Sequence, residues 1–140
     1  MVKRAVKSLA GVLPDPAIIL ESSFGIEGGA MAAGRLLDEP DPPTAIFAFN
    51  DNTAIGALRV ARELGLRVPE DLSVVGFDDS EQAAIVTPAL TTVRQPLAEM
   101  GRMAVSLLMR LLDNQRLEAL HIELKTGLIV RASTARVREE

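Results

Sequence analysis

The chain has 140 residues, of which 48% are hydrophobic, and its formal net charge of −4 comes from acids and bases mixed along its length. That suffices for one compact domain with a real core, and no basic arm or patch speaks for nucleic-acid binding. The absence of cysteine excludes disulfides and thiolate metal sites, and four Phe with no Trp or Tyr argue against a base-stacking platform.

Near the N-terminus, Val2, Val6, Leu9 and Leu13 recur at helical spacing, and Gly11, Pro14 and Pro16 stop the helix they predict. No apolar run reaches signal length or the ~20 residues of a membrane span, so the chain reads as soluble and cytoplasmic. AIIL (17–20) suits a buried strand. Glu27 to Leu37, rich in small residues, predicts a helix able to pack closely against a sheet, and EPDPP (39–43) is a turn. TAIFAF (44–49) is apolar on both faces, as a covered parallel strand should be. Asn50 or Asp51 then caps a helix carrying Ala54, Ile55, Leu58, Ala61 and Leu64.

LSVVGF (72–77) is the next strand, and SEQAAIV (80–86) a short helix ended by Pro88. LTTV (90–93), HIEL (121–124) and GLIVR (127–131) read as brief strands. Between them runs a long helix, Leu97–Leu112. Its apolar residues cover more than the ~100° of arc that a surface helix uses, which predicts burial on two sides, by this chain and by something else.

Strands alternating with helices predict an α/β fold, a three-layer α/β/α arrangement with a mainly parallel sheet. In such sheets ligands collect at the carboxyl ends of the strands. Two of those ends carry polar side chains here, Asn50-Asp51 after TAIFAF and Asp78-Asp79 after VVGF, and this coincidence points to a site.

Several chemistries fail on these residues. A lone histidine, His121, and no EF-hand spacing leave no metal site. Adjacent side chains on an extended chain diverge, so Asp78 and Asp79 make a poor catalytic or metal pair, and no nucleophile stands beside a base. GIEGGAMAAG lacks the spacing of a dinucleotide or phosphate loop, so no cofactor is implied. A phosphoacceptor aspartate, as in a receiver domain, remains open but lacks a well-placed lysine. Asp79 with Ser80, and likewise Asp51, read first as helix caps. For Asp78 and Asn50 capping and ligand binding stand level, and a carboxylate beside a carboxamide suits the hydroxyls of sugars or nucleosides.

Residues 43–101, PTAIFAFNDNTAIGALRVARELGLRVPEDLSVVGFDDSEQAAIVTPALTTVRQPLAEMG, resemble the core of LacI/GalR-family transcriptional regulators. GLIVRAST (127–134) resembles the family's last strand, and the likeness extends back through FGIEGGAMAAGRLL (24–37). The resemblance implies one subdomain of a periplasmic-binding-protein-like fold with a small-molecule effector, usually a sugar or purine, bound in a cleft. Matched residue by residue, it makes Asn50 and Asp78 effector-binding positions, Phe24 the aromatic that stacks on a sugar ring and Leu97 an apolar cleft residue. It also implies a homodimer, through surfaces including Ile55, Glu81, Ala84 and Ile85.

A full regulator of this kind also has a helix-turn-helix, a hinge helix and most of an N-terminal subdomain, through which it would contact operator DNA. The expectation is therefore a non-enzymatic effector-binding part, without membrane association. Residues 1–94 and 120–140 would form its C-terminal subdomain, and 95–119 a crossover helix that packs with the other subdomain. A solute-binding protein of sugar uptake shares the fold and is the alternative, although VPEDLSVVGFDD and LTTVRQP favour the regulator.

Overall fold

The computed structural model describes residues 18–115 and 121–136. Its elements are α1 (Ile26–Leu37), β1 (Ala45–Phe47), α2 (Asp51–Glu63), β2 (Ser73–Asp78), α3 (Glu81–Ile85), β3 (Thr91–Arg94), α4 (Leu97–Leu112) and β4 (Gly127–Ile129). The strands form one sheet in the order β1-β2-β3-β4, parallel except for the antiparallel β3–β4 pair. This is the open, mainly parallel α/β sheet that the alternating pattern predicts. The helix expected around Val2–Leu13 lies outside the described residues, among which no helix is long and apolar enough to cross a membrane.

The core lies between the sheet and α2. Leu72, Val74 and Gly76 alternate inward and are buried, and Ile46 pairs in register beside Val74 on the same face. Against them α2 sets Ala54, Ala57, Leu58 and Ala61. The outer face of α2 is covered in turn by α1, and small residues let the two helices touch. A β-carbon on Gly56 would collide with the Ile26 carbonyl, and one on Gly29 with the Thr53 carbonyl. Thus the small-residue run around GGAMAAG does pack closely, but against a helix rather than against the sheet.

Four expectations need correction. TAIFAF is not covered on both faces. Ile46 and Ala48 turn inward, whereas Phe47 is 63% exposed. In register beside it, Val75, Phe77 and Val93 are half-buried on that same opposite face, and Leu128 pairs with Val93. Residues 18–20 of AIIL and all of HIEL (121–124) form no strand, since neither finds a ladder partner for its backbone. A β-branched run has strand propensity, but propensity without a partner makes no sheet. Finally, the described residues bury neither side of α4: it has no buried residue, and Leu97, Val105, Leu108, Leu111 and Leu112 are all more than half exposed.

The helix contact yields a prediction that helix propensity alone gets backwards. Propensity favours Ala over Gly inside a helix by ~1 kcal/mol. Gly34→Ala in α1, where a β-carbon meets nothing, should therefore stabilise by up to about 1 kcal/mol. Gly56→Ala should destabilise by about 2 kcal/mol, because the helices must separate. Urea unfolding of both variants checks the opposite signs.

Candidate functional site

Four side chains singled out from the sequence come to one edge of the sheet. Asn50 follows β1 directly and Asp78 ends β2, so they occupy neighbouring parallel strands at their carboxyl ends. Leu97 opens α4, three residues beyond the end of β3, and lines an open depression with Asp78 and Gln95. Phe24 precedes α1 and is 83% exposed. Its ring meets the ring of Phe49, the residue before Asn50, edge to face with centroids 4.9 Å apart.

The polar atoms of the site are only partly engaged. Asn50 caps α2: its Oδ1 accepts from the Thr53 amide at 2.8 Å. Its Nδ2 is therefore the group left to offer a ligand. Capping does not exclude ligand binding by this residue, because the two ends of one carboxamide can serve them separately. Asp78 Oδ1 accepts from Gln95 Nε2 at 2.7 Å, which leaves Oδ2 as an acceptor. A donor and an acceptor on adjacent strands suit a hydroxyl, which both gives and takes a hydrogen bond.

Asp51 and Asp79 are not the caps they were expected to be. The cap of α2 is Asn50, and Asp51 turns inward at 1% exposure. Asp51 Oδ1 accepts from Thr92 Oγ1 at 2.5 Å and Oδ2 from the Ser80 amide at 2.6 Å. Gly76 leaves the room for this carboxylate, since a β-carbon there would strike Asp51 Oδ1. At α3, Ser80 holds the cap position but its side chain makes no capping bond.

Asp79 bridges two arginines instead. Arg94 Nε donates to one carboxylate oxygen and Arg131 Nη2 to the other. Arg131 also donates to the Leu90 carbonyl, so it joins the residues after β4 to the connection before β3. Burial pushes the Asp79 carboxyl up, but the hydrogen bonds and charges of Arg131 and Arg94 outweigh it and hold the group below the ordinary carboxylate value. Asp78 and Asp79 both have positive φ, 111° and 58°, a sharp turn that points their side chains to different partners.

Sequence reasoning missed Phe49, Gln95 and the two arginines. Gln95 and Arg94 were available in the TTVRQP wording, and Phe49 in its position beside Asn50. Of the residues placed at a dimer surface, Glu81, Ala84 and Ile85 are exposed on α3, with Ile85 at 78%, whereas Ile55 is half-buried on α2.

The relatives bear on the fold and the family. Residues 2–134 match the periplasmic binding protein-like domain. The chain is 42% identical over 124 residues to the HTH-type transcriptional repressor CytR of Escherichia coli K12, covering 89% of this chain and 36% of that protein. A solved complex of the transcriptional regulator CelR with cellobiose superposes with a TM-score of 0.82 at 40% identity, over 89% of this chain and 38% of that one. The lac repressor dimer bound to operator and an anti-inducer gives a TM-score of 0.75 at 34% identity, over 81% of this chain and 39% of that one. The chain belongs to the periplasmic binding protein-like domain family, in the form carried by LacI/GalR-type transcriptional regulators. It spans about a third of the length of the curated relatives it matches.

The two arginines give Asp79 a pH signature. Asp79→Asn should destabilise the chain by about 2 kcal/mol at pH 7, the scale of charged hydrogen bonds lost from a side chain only 7% exposed. With the folded value depressed, that stability is present above the unfolded carboxyl value of ~3.9 and lost as pH falls through the lower folded value. The difference between wild type and variant should therefore shrink below about pH 4 in denaturant titrations.

Proposed function

We propose that this chain is the effector-binding and dimer-forming part of a LacI-type transcriptional regulator, a non-enzymatic role exercised on DNA in the cytoplasm. The observation that carries it is the convergence of Phe24, Asn50 and Asp78 at one carboxyl edge of the parallel sheet. An exposed aromatic ring beside one free donor and one free acceptor suits a small molecule with an apolar ring face and hydroxyls on its rim. A sugar or a nucleoside-like compound has that chemistry. Transcriptional regulators are among the relatives, which favours this reading over a solute-binding protein of transport.

On this reading residues 1–94 and 120–140 belong to the C-terminal subdomain, and 95–119 cross to a second subdomain. The bare apolar surface of α4 supports that division, since a helix with no buried residue needs a partner. Operator contact belongs to other parts of the full protein. Exposed Ile85 and Ala84 on α3 support a homodimer surface there, extending to Glu81 and to Ile55 on α2. Effector occupancy would act on DNA binding by favouring one arrangement of subdomains over another.

Calorimetry on the full-length protein that carries this segment, with ribose, cellobiose and adenosine as probes, tests the reading. One probe class should bind, and Asp78→Asn should weaken it by about tenfold or more, the worth of one charged hydrogen bond. Phe24→Ala should weaken it to a similar degree. The isolated 140-residue chain, with one wall of the cleft, should bind the same probe more weakly than about 10 μM, roughly −7 kcal/mol. Binding that ignores Asp78→Asn would sink the proposal.

A further inference from the structure

The two candidate ligand residues come from different strands, and something must fix their spacing. Asn50 is set by β1 and by its cap on α2. Asp78 lies in a turn of positive φ, shared with Asp79, which side chains other than glycine adopt at a cost and keep only where their surroundings hold them. Asp51 touches both. It is the chain neighbour of Asn50, and its Oδ2 takes the Ser80 amide directly. Its Oδ1 takes the Thr92 hydroxyl, and the Thr92 oxygen in turn accepts the Asp79 amide at 3.4 Å. The backbone on the far side of Asp78 is thus reached twice by one buried carboxylate, beside the hold of Arg94 and Arg131 on the Asp79 side chain.

We infer that Asp51 is the positioning residue of the effector site, setting the distance between the Asn50 amide and the Asp78 carboxylate while touching no ligand itself. The inference rests on the effector-site reading and adds to it a residue that the pattern of caps conceals. Both oxygens of Asp51 act as acceptors, and Asn offers one acceptor and one donor. Asp51→Asn keeps the shape but cannot take hydrogen bonds from both Ser80 and Thr92. Thr92 is fully buried, and Thr92→Val removes its hydroxyl at nearly constant volume, whereas Thr92→Ser keeps it.

The test uses the full-length protein with two readouts, hydrogen exchange of the peptide spanning residues 78–80 and calorimetry with ribose, cellobiose and adenosine. Asp51→Asn should speed exchange at 78–80 by about tenfold, leave residues 73–76 unchanged, and weaken the binding probe by about tenfold. Thr92→Val should do the same to a smaller degree, and Thr92→Ser should restore both readouts. This pair decides the matter if Asp51→Asn does not fold. Unchanged exchange, or faster exchange with affinity kept within about twofold, overturns the inference. Wild-type protein that binds none of the probes instead removes the effector reading, and the exchange result then decides separately whether Asp51 holds the turn.

Discussion

Asp51 buries a carboxylate at the start of α2, where a charged group is costly unless its hydrogen bonds are met. They are met by the Thr92 hydroxyl on β3 and by the Ser80 amide after β2, so the helix, the strand and the turn are tied at one point. Gly76 makes the tie possible by presenting no side chain where Asp51 enters. A carboxylate so placed near the N-terminus of a helix also gains from the helix dipole. The mouth of the sheet is ordered around this contact, and the candidate ligand residues stand on either side of it.

Four polar residues at two strand ends thereby divide four tasks. Asn50 caps α2 with its oxygen and keeps its nitrogen free. Asp51 ties the elements together. Asp78 faces the depression at the root of α4 and is steadied by Gln95. Asp79 anchors Arg94 at the end of β3 and Arg131 beyond β4. Ser133, also fully buried, adds a second stitch by accepting from the Thr91 amide and donating to the Val74 carbonyl. The tail that follows β4 is thus bound into the same sheet whose mouth carries the site.

Much of this was legible from the sequence, and the failures have physical causes. α1, α2 and α4 fall where apolar periodicity places them, and Leu97–Leu112 has the predicted bounds. β1, β2 and β3 lie within a residue or two of TAIFAF, LSVVGF and LTTV. HIEL and residues 18–20 have the composition of strands, yet a strand exists only where a neighbour completes its hydrogen bonds, and composition does not reveal the neighbour. The excess apolar arc of α4 was visible, whereas the fact that none of its residues is buried among the described residues was not.

The site divides along the same line. By itself the sequence determined that polar residues end two apolar strands, because a strand buried on its inward face must emerge into polar surroundings at its mouth. Its family likeness also singled out Phe24, Asn50, Asp78 and Leu97. Only the tertiary structure decided which acid does what. Asp51 and Asp79 looked like local caps because capping is a relation between near neighbours in the chain. Their actual partners, Thr92 for Asp51 and Arg94 and Arg131 for Asp79, lie 41, 15 and 52 residues away, a distance in sequence that only the packing of β3 beside β2 and of β4 beside β3 closes.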